Sequence, residues 1–151
     1  MPKPLKPSGA PGFTLLELLI ALVVIAILAT LTYPSFTHQI RKARRSEAFA
    51  ALQAVVQAQE RWRSHNPSYA SDLTSPGPTG LGLPDKSSGQ YYDIALSACA
   101  PATPATCFVA TATAVPGRSQ AADQGCTQLR VIVKAGSLSY EPNDDHRCWA
   151  Q

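Results

Sequence analysis

Apolar and polar positions along this chain obey three different rules in turn. Residues 13–33 are apolar almost without interruption, 21 positions with a single charge, Glu17. Residues 35–65 keep apolar side chains to one side of a helical period: Ala48, Leu52, Val55, Gln59 and Trp62 recur at steps of four and three, and Phe49 and Val56 widen the stripe. Beyond residue 90 the period shortens to two. Tyr92, Ile94 and Leu96 share one face, as do Phe108, Ala110 and Ala112, then Leu129, Val131 and Val133, then Leu138 and Tyr140. The pattern predicts one helix from about Phe13 to Ser64, kinked where Pro34 removes a hydrogen bond, followed by four antiparallel strands. The fold class is α+β: a long N-terminal helix whose distal half packs across a four-stranded antiparallel sheet.

Between helix and sheet, NPSYASDLTSPGPTGLGLPDKSSG (residues 66–89) is a loop rich in Pro, Gly and Ser, in which Leu73, Leu81 and Leu83 are expected to pin the chain to the core. Cys99, Cys107, Cys126 and Cys148 all fall in the last third, without C-x-x-C spacing or a histidine at zinc-ligand distance. That arrangement excludes a zinc site and points to two disulfides in an oxidising compartment. Three pairings exist for four cysteines; Cys99 with Cys107 and Cys126 with Cys148 is favoured because each pair staples a local loop.

The first twelve residues, MPKPLKPSGAPG, hold two lysines, four prolines and no acid, so no continuous helix forms there. A helix over 13–33 spans roughly 31 Å, about the hydrocarbon thickness of a bilayer. The alternative is an ordinary secretory signal cut after Ala29, leaving Thr30 as the first residue. Glu17 is costly inside such a span, about 2.5 to 3.5 kcal/mol at mid-helix and less near the end. Cleavage after Gly12 would give Phe13 a free ammonium group one turn before Glu17. When such helices pack side by side, each Glu17 meets a neighbour's ammonium, and an insertion cost becomes a register signal.

These features carry a resemblance. GFTLLELLI, with basic residues upstream, a small residue before Phe13 and Glu17 fifth after the cut, resembles the type III signal of type IV prepilins and pseudopilins; Pro34 also matches a proline typical of pilin helices. The Cys148–Trp149 ending resembles PilE-type minor pilins in particular. The resemblance implies a pilin-like fold, cleavage between Gly12 and Phe13 by prepilin peptidase, N-methylation of Phe13, and assembly with other pilin subunits through Glu17. It divides the chain into a leader (1–12), a transmembrane and filament-core helix (13–34), an amphipathic half-helix (35–65), an exposed αβ loop (66–89) and a disulfide-stapled sheet (90–151). The implied partners are the peptidase, other pilins, an inner-membrane assembly platform and the membrane itself. Such a precursor resides in the inner membrane, head outward, before joining an extracellular pilus that supports motility, adhesion or DNA uptake.

Charge modifies this picture at one place. The net charge is only +3, but residues 35–65 carry six basic and two acidic side chains against five and seven in residues 66–151. Arg41, Lys42, Arg44 and Arg45 form a candidate patch for an anionic partner, DNA or lipid headgroups. No aromatic platform accompanies them in the sequence, which favours a solvated stripe. Their position also places the C-terminal side in the cytoplasm by the charge rule, whereas the cysteines and the resemblance place it outside. His38, His65 and His146 form no catalytic or metal-ligating spacing, NDDH (residues 143–146) is a turn, and no cofactor motif occurs. The chain is therefore expected to be no enzyme, with no catalytic residue, metal or cofactor. Two other functions remain from the sequence: a pseudopilin of a type II secretion system, and a membrane-anchored binding module for DNA or adhesion.

Overall fold

A computed structural model describes residues 12–99, 103–143 and 148–149, without the side chains of residues 31–35. The chain separates into two compact units, 1–38 and 39–151. One helix, α1 (Leu15–Arg63), contributes to both. Its assignment runs unbroken through Pro34; the side chain of that proline, expected to kink the helix, lies outside the described residues. The helix starts where the prolines stop, with the Thr14 hydroxyl accepting from the Glu17 backbone N–H as an N-cap.

In the first unit every described side chain from Phe13 to Thr30 is exposed. Phe13 is 85% and Leu15 81% accessible, and each leucine, valine and isoleucine from Leu16 to Leu28 is about half accessible or more. A helix oily all round has no self-burying face. Among the described residues no helix is long and apolar enough to cross a membrane. The membrane span expected over residues 13–34 is therefore not shown, because the described apolar side chains end at Thr30, short of the ~20 residues a span requires.

The second unit closes its core. Four strands, β1 (Tyr92–Ala98), β2 (Cys107–Ala114), β3 (Gln128–Lys134) and β4 (Ser137–Glu141), form an antiparallel sheet in sequence order. The registers place Ile94 opposite Ala112, Ala110 opposite Val131, and Val133 opposite Leu138, so the expected apolar faces line up on one side. Ala48, Leu52 and Val55 of α1 are buried against that side with Tyr92, Phe108, Leu129 and Val131. Leu138 departs from its expected place: it is 41% exposed, in the short edge strand β4, whose first three residues are all exposed. Gln59, counted with the apolar stripe, is fully buried. Its amide accepts from the Ala70 N–H and donates to the Ala70 carbonyl, both at 2.9 Å, and so satisfies a loop backbone as a strand would.

The loop over 66–89 is pinned as its leucines foretold, with Leu73 buried and Leu81 and Leu83 packed on the core. Tyr69 adds an edge-on contact to Phe108 at 4.7 Å. Asp72 turns the chain by accepting from the backbone N–H groups of Ser75 and Thr74, and these bonds hold its carboxyl below the usual range. Disulfides join Cys99 to Cys107 and Cys126 to Cys148, with Cα separations of 5.6 and 5.3 Å. Trp149 then lies edge-on to Tyr140 at 4.9 Å and donates its indole N–H to the Pro142 carbonyl, so the tail covers the open end of the core. The NDDH turn falls largely outside the described residues. Non-reducing peptide mapping of the purified chain should recover the 99–107 and 126–148 linkages, and removing the second by paired alanines should cost about 2–5 kcal/mol of stability. A crossed linkage would contradict this sheet arrangement.

Candidate functional site

Two regions carry groups that the fold's own stability does not explain. On the first unit, Glu17 is an exposed carboxylate in the opening turn of α1, among exposed leucines. Helix N-termini favour negative charge, which makes the position tolerable for a lone chain. It does not supply a reason for an acid among apolar neighbours. Gly12 and Phe13 lie immediately before the helix, both exposed.

On the second unit, the four-residue basic patch divides. Arg45 is 5% exposed and leaves it: its guanidinium donates two bonds of 2.7 Å to the carboxylate of Asp123, itself 4% exposed. This removes Arg45 from the four-residue candidate patch, and equally from the solvated stripe weighed against it. The stripe continues one turn below Ala48, so residue 45 points into the core and needs an internal anion. The hydrogen bonds that Arg45 donates to Asp123 raise its pKa further above the usual value against the opposing effect of burial. Gln120 completes the arrangement, donating to the Tyr92 hydroxyl at 2.7 Å and to the Arg41 carbonyl and Asp123 at 3.3 Å. Burial pushes the Tyr92 phenol up from its ordinary pKa. Together these bonds tie the β2–β3 connection to α1.

That connection brings a new cation to Arg44. Val115-Pro116-Gly117-Arg118 is a tight turn in which the Arg118 N–H donates to the Val115 carbonyl at 3.2 Å and Gly117 takes φ +79. A short 3-10 helix, Ser119–Ala122, follows. Arg44 donates to the Ser119 hydroxyl, and its guanidinium carbon sits 4.0 Å from the centre of the Tyr91 ring. Arg118 approaches the same ring at 5.5 Å. The aromatic platform that the sequence lacked beside the basic cluster is thus supplied by Tyr91, from the start of the sheet.

Tyr91 is held firmly. The Ser87 hydroxyl, buried, accepts from the N–H groups of Tyr91 and Tyr92, both at 3.2 Å. Glu47 of α1 accepts from the Gly89 N–H at 2.8 Å. A side chain at Gly89 would bring its Cβ within 2.5 Å of the Glu47 carboxylate and 2.8 Å of the Tyr91 ring, so the close approach requires glycine. Lys86 pairs with Asp93 nearby. Arg41 is half-buried and Lys42 exposed, continuing the basic surface along α1. The signal available in the sequence is local, a Pro-Gly pair before Arg118 that suits a turn, and nothing adjacent to it names Arg44 or Tyr91 as neighbours.

Among the described residues no cluster of His, Cys, Asp or Glu is arranged to hold a metal ion. Comparison with known proteins adds direct information on both regions. A family described as "Type IV minor pilin ComP, DNA uptake sequence receptor" matches residues 34–130. The prokaryotic N-terminal methylation motif matches residues 8–33. The chain is 40% identical over 64 residues to the type IV wide pilus major component PilA4 of Thermus thermophilus, an alignment covering 42% of this chain and 49% of that protein. It thus spans about half the length of that curated relative. No solved structure matches.

Proposed function

We propose, for a chain that belongs to the family of type IV minor pilins, that it enters an extracellular pilus through the bare apolar helix of its first unit and presents its head to duplex DNA. The observation that carries the filament reading is the contrast between the two units. The second unit buries its apolar side chains in a closed core, while the first leaves Phe13 to Leu28 uncovered. A contiguous apolar surface of that size marks a partner, and the methylation motif over residues 8–33 supports pilin neighbours as that partner.

In this reading prepilin peptidase cuts between Gly12 and Phe13, and Phe13 is methylated on its new amino group. The apolar helix resides in the inner membrane, is handed to an assembly platform, and exchanges lipid for neighbouring helices. Glu17 sets the stagger by meeting an adjoining Phe13 ammonium. The match to pilins favours this over the pseudopilin alternative. For the head, the matched family is described as a DNA uptake sequence receptor, and the matched residues 34–130 include the whole basic surface around Arg44. That coincidence supports duplex DNA as the ligand.

Processing is directly measurable. Co-expression with a prepilin peptidase should yield a product whose first residue is Phe13 and whose intact mass has lost residues 1–12 and gained one methyl group. A product beginning at Thr30 would mean an ordinary secretory signal, and the filament reading would fall with it.

A further inference from the structure

Arg44 and Arg118 direct two permanent positive charges at one aromatic ring. Their distances to the Tyr91 centre keep the guanidinium carbons less than about 10 Å apart, within a Debye length at ordinary salt, so they repel each other. Among the described residues neither has a carboxylate partner: the ion pairs are Arg45–Asp123, Lys86–Asp93 and Arg130–Glu141. Of the nearby acids, Asp93 is committed to Lys86 and Glu47 to the loop backbone at Gly89, while Asp85 lies on the Lys86 side and forms no ion pair with either arginine among the described residues. Like charges assembled without an anion, by two elements that a buried ion pair locks together, form a preorganised anion site.

We propose that Arg44, Tyr91 and Arg118 form a clamp for the phosphates of a duplex backbone, and that this clamp is indifferent to base sequence. Indifference to base sequence follows from the ring. A free aromatic face in a basic groove stacks bases, but the Tyr91 face lies under the Arg44 guanidinium, with Arg118 also close by. The ring stiffens the cations and desolvates their planes, leaving their N–H edges for phosphate oxygens. Contacts to phosphate fix position on the duplex and carry no sequence information. Any preference for one sequence must then come from other residues of the head. The surface is built from α1, the end of the αβ loop and the β2–β3 turn, all inside the segment matched by the DNA receptor family.

This inference rests on the DNA reading of the head, and one experiment separates the two. Binding of the processed full chain in non-ionic detergent is measured against a panel of duplexes of equal length and unrelated sequence, across a salt series, with phosphatidylglycerol vesicles in parallel. Wild type should bind the duplexes, with a slope of log affinity against log salt of about −0.9 for each phosphate held. Arg118→Ala, at an exposed turn position, should weaken every duplex by about tenfold and make the slope shallower by about one. Arg44→Ala should act similarly, and Arg44→Lys should recover the slope but not the full affinity, since the stacking fork is lost. The rank order across the panel should be unchanged. Failure of wild type to bind any duplex, including a preference for vesicles alone, would defeat the DNA reading. Duplex binding by wild type with unaltered affinity and slope in Arg118→Ala would overturn the clamp, and so would a variant that selectively lost its best-bound sequence.

Discussion

Glu17→Ala should yield a protein that still enters the membrane fraction and no longer enters filaments. The substitution removes a carboxylate whose insertion costs about 2.5 to 3.5 kcal/mol at mid-helix and less at this terminal position, so membrane retention should hold or improve. What disappears is the only acidic group among the exposed side chains of the described first unit. Apolar side chains alone pack helices at many staggers of similar energy. A charge pair between Glu17 and a neighbouring Phe13 ammonium is satisfied at one stagger only, and leaving that ammonium unpaired costs several kcal/mol in an apolar surround. Sheared-filament and membrane fractions, immunoblotted from cells making wild type, Glu17→Ala and Glu17→Gln, separate the effects. Both variants should be absent from the sheared fraction. Filaments containing Glu17→Ala at wild-type level would rule out the pairing, whatever else the helix does.

The architecture was legible because its signals are periodic. The four strands emerged from two-residue alternation, and their buried faces follow it closely; the departures are Cys107, buried off the common face by its disulfide to Cys99, Leu96, which is only half-buried, and Leu138, exposed on the edge strand. The helix stripe was legible from Ala48 to Val55 for the same reason. Its lower end was not: Arg45 lies on the stripe by spacing, but a charged residue there reads as surface until a buried acid is found for it. Asp123, Gln120 and Tyr92 were invisible as a group because side-chain networks join residues remote in sequence. Tyr91 escaped for a related reason. It precedes β1 and so falls outside the alternating pattern, and it meets Arg44 of α1 only through the loop that Gly89 lets pass close by. The uncovered apolar character of the first unit, in contrast, was legible directly, since a helix apolar all round with one acid needs no tertiary information to be recognised.

The strongest stability effect in the head should come from the ion pair that was not foreseen. Arg45 and Asp123 are both nearly inaccessible and bidentate at 2.7 Å. Asp123→Ala leaves a guanidinium buried without its anion, and removing one member of such a pair costs about 3–5 kcal/mol. For a head of this size that loss lowers the midpoint of thermal unfolding by more than about 10 °C, measured by near-ultraviolet circular dichroism on the oxidised chain in detergent. The double variant Arg45→Met with Asp123→Leu should regain most of the loss, because neither charge then has to leave water. An Asp123→Ala protein that melts with wild type would show that the pair contributes nothing net. The consequence extends to ligand binding. Asp123 immediately follows the 3-10 segment and lies five residues beyond Arg118, so the same ion pair that stabilises the core also holds the turn that brings Arg118 to Tyr91. At temperatures where both proteins remain folded, Asp123→Ala should therefore bind duplex DNA with a shallower salt dependence, although Asp123 itself is buried and carries the wrong charge to touch a phosphate. The double variant should restore stability more completely than it restores binding, since an apolar pair fills the space without fixing the turn's direction.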